Sequence, residues 1–161
     1  MTMRGSVDPI DRLWGSLPYL LPLVSILPLG LPLFTAVPPL LILFRPLLPL
    51  YGLLTGFGGF GSLICFMLLF FLVVRNDKLA HFIRFNGMQA LLVSIAQFLV
   101  QVVLQLVGVL GLNLGLLTQT IGTTLFLGTV VIAIYAWVQN ARGHYAEIPV
   151  ISEAAYTQVR Y

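Results

Sequence analysis

Three of the chain's eight Lys and Arg residues, Arg75, Lys78 and Arg84, fall within ten positions of one another, midway along the sequence. Long apolar runs lie on both sides. The stretch from Arg75 to Ala90 is the one central segment polar enough to sit in water, and its flanks must find another solvent. The whole chain is 59% hydrophobic and 8% charged, with a mean hydropathy of +1.02. A soluble domain carries about 25% charged residues, so a wetted surface cannot be built from this composition. The fold class expected is an all-α integral membrane protein.

A net charge of +3 spread over few charges makes nucleic acid an unexpected partner. Cys65, the single cysteine, lies within an apolar run, so no intramolecular disulfide can form. The first residues lack the basic start, apolar centre and small-residue cleavage site of a signal peptide, and the Ser/Arg-rich lead of a transit peptide. The expectation is that the chain inserts in the compartment where it is made.

Residues 1–12 form a short polar head in which Asp8-Pro9 reads as a helix start, Asp as N-cap and Pro in the first turn. Trp14 and Tyr19 suit a membrane interface. From Leu17 to Leu50 the chain is apolar but broken by prolines, each interior one costing about 3 kcal/mol in a plain helix. One Pro-kinked span is expected over 17–36, followed by a non-spanning interfacial segment over 37–51. Further spans are expected over 52–74, 87–110 and 116–138, making four in a single membrane domain. Gly52/Gly56 and Gly58/Ser62 have the spacing of close helix packing. A tight turn is expected over Gly111–Gly115. The tail, 140–161, is expected to carry a short surface helix started by Ser152-Glu153 after Pro149, with Ser152 as its cap. With four spans, Arg4, Arg12, Arg75, Lys78, Arg84, Arg142 and Arg160 fall on one side and Arg45 on the other. That asymmetry places both termini on the cytoplasmic or stromal side.

The polarity of the central stretch continues into the third span. Asn86, Ala90, Ser94, Gln97, Gln101, Gln105 and Gly108 follow one another in steps of three or four, and so share one helix face. Such a face turns away from lipid, either to supply interhelical hydrogen bonds worth roughly 0.6–2 kcal/mol each or to line a hydrated groove. Arg75, Lys78, His81 and Arg84 would stand at its inside mouth, binding lipid headgroups or a partner. Asn86 and Gln89, three apart, could pin the loop. No span contains an acid, a Lys or a His, which argues against ion-coupled transport. His81 and His144 lack metal-site spacing, and Ser94 has no base one turn away, so neither enzyme activity nor a metal or cofactor is expected.

The same residues carry a family resemblance. Val73-Val74-Arg75-Asn76, His81-Phe82-Ile83-Arg84-Phe85-Asn86 and Met88-Gln89-Ala90 resemble the signature of the Tic-twenty family, a four-span subunit of the translocon at the chloroplast inner envelope membrane with plastid-encoded and cyanobacterial relatives. Tyr19-Leu20-Leu21-Pro22-Leu23 and Glu147-Ile148-Pro149-Val150-Ile151-Ser152-Glu153-Ala154-Ala155 extend it over most of the chain. Where the family often carries an Asp after that block, this chain reads Leu92-Val93-Ser94-Ile95, so no role is assigned to such an acid.

The resemblance implies a place in a protein-import complex, in a cyanobacterial plasma or thylakoid membrane or the plastid inner envelope. Membrane lipids, other translocon subunits and a translocating polypeptide would then be partners, within an oligomer or complex. The alternatives from other classes are a small-solute channel or transporter, which needs a narrow site, and a membrane scaffold or assembly factor without a path.

Overall fold

The computed structural model describes residues 7–111 and 115–159. Arg4 and Arg160 of the charge count, and the centre of the turn expected over Gly111–Gly115, lie outside the described residues. Every regular element among the described residues is helical. These are α1 (Pro9–Ser25), α2 (Leu27–Ala36), α3 (Pro38–Thr55), α4 (Gly61–Val74), α5 (His81–Val109), α6 (Gly115–Ala141) and α7 (Ile151–Gln158). Helices α3, α5 and α6 are long and apolar enough to cross a membrane, and α1 with α2 makes a fourth such unit, bent by 61°. Their outward faces carry Phe98, Leu99, Val103, Val131 and Ile134, all exposed. This is the surface of an integral membrane protein.

The bend falls where proline chemistry puts it. Pro28 has no N–H to give the Val24 carbonyl, and the chain tightens into a 3-10 turn over Leu27–Gly30. Asp8 is the N-cap of α1 with Pro9 in the first turn, although its side chain makes no capping bond. Pro38 and Pro39 open α3 after Val37 leaves helical geometry at φ −132°.

The next boundary differs from the expected one. Instead of an interfacial segment over 37–51 and a continuous helix over 52–74, α3 runs on to Thr55 and the chain reverses before α4. Phe57, Gly58 and Gly59 all have positive φ, of 54°, 68° and 91°, and the Gly61 N–H closes the turn on the Gly56 carbonyl at 3.2 Å. The glycines of this region therefore build a turn, and Gly52 has no neighbour within 4 Å of where a Cβ would stand. They are not a helix-packing face within the chain. At 1.5 Å per residue α4 is only about 21 Å long, short of the ~30 Å hydrocarbon core.

Helix α1 is the wedge of the fold. It packs between α5 and α6, and its second half also meets α3 and α4. Three ends meet at one pole, hereafter the basic end. Arg12 donates to the Ala141 carbonyl at the end of α6 (3.0 Å), the Trp137 indole N–H to the Ser16 carbonyl (2.9 Å), and α7 lies on the start of α5. At the far end, Phe34, Phe44 and Phe126 form a triangle with every pair of ring centroids 5.4 Å apart.

Glycine substitutions separate turn from packing. A Cβ on Gly61 would lie 2.6 Å from the Leu54 carbonyl oxygen, so Gly61→Ala should cost at least the ~1–3 kcal/mol of overpacking. Gly52→Ala should instead gain about 0.5–1 kcal/mol. Thermal unfolding of the two variants in detergent, lower for the first and unchanged or higher for the second, checks this.

Candidate functional site

The central block closes on itself. Tyr19, wholly buried in α1, points its hydroxyl at two amide oxygens of α5, Asn86 Oδ1 at 3.1 Å and Gln89 Oε1 in a shorter contact. Both amides are oriented by their own N–H groups. Asn86 Nδ2 donates to the Phe82 carbonyl at 2.8 Å, and Gln89 Nε2 to the Ala146 carbonyl at 2.9 Å. Two buried acceptors thus face one hydroxyl proton. Tyr19 is therefore not an interfacial ring, as its sequence position suggested. Trp14, by contrast, is exposed.

The neighbouring residues tie three further segments to the same turn of helix. Phe82 and Phe85, both buried, stack edge-on against Tyr145 with centroids 5.1 Å away, and Phe85 also meets Tyr156 of α7 at 4.5 Å. One His81 nitrogen, Nε2, stands 3.2 Å from the Val159 carbonyl and the other, Nδ1, 3.1 Å from the Tyr145 hydroxyl. A neutral ring donating to the carbonyl and accepting from the phenol satisfies both. Arg84 donates Nε to the Val74 carbonyl at 3.1 Å, so a cation caps the end of α4, and pairs with Asp77 at 2.9 Å. Asn76 accepts from the Lys78 N–H and donates to the Leu72 carbonyl. Of the expected inside mouth, only Arg75 and Lys78 present exposed cations.

In the tail, Pro149 and Glu153 are exposed and Ser152 is buried. The helix forms where expected, but Ser152 does not cap it. Its hydroxyl donates back to the Ile148 carbonyl at 2.8 Å, and Val150 takes the N-cap position. Val150 sits at φ 68° in a tight turn closed by Ile151 N–H on the Pro149 carbonyl, a conformation a β-branched residue adopts only under constraint.

The stripe on α5 changes character along its length. Gln97 is buried, donating to Thr129 Oγ1 of α6 at 2.7 Å and accepting from Ser25 of α1 at 3.3 Å. Ser94 is half-buried and bonds back to the Ala90 carbonyl at 3.0 Å. Gln101 is half-buried and Gln105 exposed. A cavity of about 510 Å³ opens at this level between α1, α3, α4 and α5. Ser94, Gln97 and Gln101 line it from α5, and Ser25, Tyr51 and Ser62 face them. Ser25, Tyr51, Thr129 and Tyr145 carry no such signal in sequence, since none continues a polar stripe spaced like that of α5. Among the described residues no group of three or more His, Cys, Asp or Glu could hold a metal ion.

Helices of membrane-crossing length around a buried amide cluster, beside a mainly apolar cavity that several hydroxyls and amides also line, define a polytopic helical membrane protein. The model of the family "Chloroplast import apparatus Tic20-like" matches residues 10–155. A Tic20 family protein of Synechocystis sp. is 39% identical over 161 residues, covering 100% of both chains. The protein TIC 20-v, chloroplastic, of Arabidopsis thaliana is 29% identical over 157 residues, 96% of this chain and 73% of that one. The chain belongs to the Tic20 family.

Removing the shared hydroxyl tests the cluster. Tyr19→Phe takes the one shared hydroxyl proton from two buried amide oxygens, at about 1–3 kcal/mol. It should lower the unfolding midpoint in detergent clearly more than Tyr51→Phe, whose half-buried ring faces the cavity.

Proposed function

We propose that this chain is a membrane-embedded subunit of a protein-translocation complex, in a cyanobacterial or plastid membrane, and that its polar cavity forms part of the path taken by the polypeptide. Family membership supports the first half, since the family is described as chloroplast import apparatus. One observation carries the second. The 510 Å³ cavity, between helices of membrane-crossing length, is lined by Gln101, for which no hydrogen-bond partner is found among the described residues, beside Ser94, Ser62 and Tyr51. An extended polypeptide brings one N–H and one C=O per residue into the bilayer, and each costs several kcal/mol unless matched. Amides and hydroxyls offer both donors and acceptors to a passing chain without selecting its sequence.

The cavity is open on one side, and a single chain of this size cannot enclose a polypeptide, so other subunits or further copies complete the wall. The basic end, with exposed Arg75 and Lys78, lies on the cytoplasmic or stromal side, where such residues also hold anionic lipid headgroups.

A photoreactive residue placed at 101 in native membranes tests the reading against a polypeptide arrested during transfer. An adduct from position 101, and none from position 131 on the outward face of α6, is the expected result. Adducts to neighbouring subunits alone would leave the chain as a scaffold. Gln101→Leu should reduce transfer several-fold while leaving thermal stability within about 0.5 kcal/mol, since a half-exposed side chain without internal partners contributes little to folding.

A further inference from the structure

A second cavity, of about 690 Å³, lies toward the basic end and is almost wholly apolar. It begins at Ile10, Asp11 and Trp14, where the chain enters the membrane, and reaches Val24, with Cys65, Leu69 and Val73 of α4 as its other wall. The polar cavity continues in the same direction. Along α1 and into α2 the lining passes from Ile10–Val24 to Leu21–Pro28, on α5 from Ile83 to Ser94–Gln101, and along the antiparallel α4 and the turn before it from Val73–Cys65 to Phe66–Gly59, while α3 borders both at one level, with Leu50–Leu54 and Tyr51–Thr55. Three helices thus give the same order. The part of this lining on α1, from Ile10 to Ser25, is about 22 Å of helix at 1.5 Å per residue, and Pro28 lies past the 61° bend, so the two cavities together run most of the way along the ~30 Å hydrocarbon core.

Two residues line both cavities, Leu21 of α1 and Leu54 of α3. Leu54 is 7% exposed, and Leu21 packs against the same core cluster. The geometry points to a single trough crossing the membrane between the α1/α5 face and the α3–α4 hairpin, closed at its middle by a Leu21–Leu54 septum. This rests on the reading of the polar cavity as part of a polypeptide path, and it names the rest of that path and its closure. An apolar constriction of this kind stops water and ions by dewetting, and it yields when the flanking elements part. The hairpin has the means to part. It is joined by a turn with three consecutive positive-φ residues, and most of α3 and α4 is exposed. Its last turn, Phe70–Val74, is π-helical, with the Arg75 N–H reaching back to the Phe70 carbonyl. The occupant of the open trough is the translocating chain, whose apolar side chains match the first half and whose backbone matches the second.

Cys65, the native thiol, lies on the apolar side of the septum and serves as the reporter. A membrane-impermeant maleimide is presented to sealed membranes from the face opposite the Arg75–Lys78 turn. Gln101→Cys in a Cys65→Ser background should react, while Cys65 in the parent should not. Leu54→Ser and, from the other wall, Leu21→Ser should each speed Cys65 labelling by at least about tenfold as the constriction wets. Leu54→Met should stay at the parent rate.

If Gln101→Cys reacts while Cys65 stays unlabelled in both serine variants, the two cavities are not one path and the inference is wrong. It is equally wrong if Cys65 reacts as fast in the parent, or if Phe126→Ala, a core change outside the trough, speeds it as much. If Gln101→Cys itself does not react, the polar cavity is dry, and the reading on which the trough depends falls first.

Discussion

The structure depends on a hydroxyl placed between two amides where no water reaches. In a hydrocarbon surround the hydrophobic effect cannot hold helices together, because lipid tails are as apolar as the side chains they would replace. Specific position must come from small-residue packing and from hydrogen bonds with no better alternative. Tyr19, Asn86 and Gln89 supply that specificity. Each amide uses its N–H group on a backbone carbonyl, of Phe82 and of Ala146, so its oxygen can only face α1. Rotating α1 by one residue, about 100°, would strand the phenol in lipid and leave both amides unmatched.

From that point the other contacts follow in a fixed order. With α1 held on α5, Gly15 lies against the Phe82 ring, 2.9 Å from where a Cβ would be, so nothing larger fits. The same aromatic edge receives Tyr145 and Tyr156, which brings in the tail. Arg84, one turn before Met88, then closes the end of α4. Gly87 lets Val73 approach, its missing Cβ leaving a gap of 3.1 Å. Most residues of the block from His81 to Gln89 thus hold one of three neighbours, α1, the end of α4 or the tail. So compact a stretch therefore carries much of the packing at this end of the fold.

How much of this could be read from the chain alone follows from the range of each interaction. The membrane class, the helices of α5 and α6, the bend before Pro28 and the stripe are local or periodic, and composition with spacing exposes them. The α3–α4 boundary is not legible in sequence, because a run of glycines serves equally as a packing stripe or a turn. The choice is made by three positive φ angles that no periodicity records. Spacing puts Asn86 and Gln97 on one face of α5. What each amide does depends on Tyr19, Ser25 and Thr129, which lie more than thirty positions away and carry no pattern of their own.

The stripe therefore has two functions divided along one helix, and burial makes the division. Near the basic end α5 is wrapped by α1, α4 and α7, so an amide there is enclosed and must be matched inside the chain, as Asn86 and Gln89 are. At Gln97 the wrapping thins to α1 and α6, and the match is to hydroxyls on both sides. By Gln101 α1 has bent away at Pro28, α4 has reached its turn, and the amide is left facing a cavity. A helix needing only glue would have ended its polar residues at Gln97. Amides carried further stand unmatched in lipid unless water, another subunit or a passing chain meets them, and Gln101 stands where a cavity leaves room for such a partner.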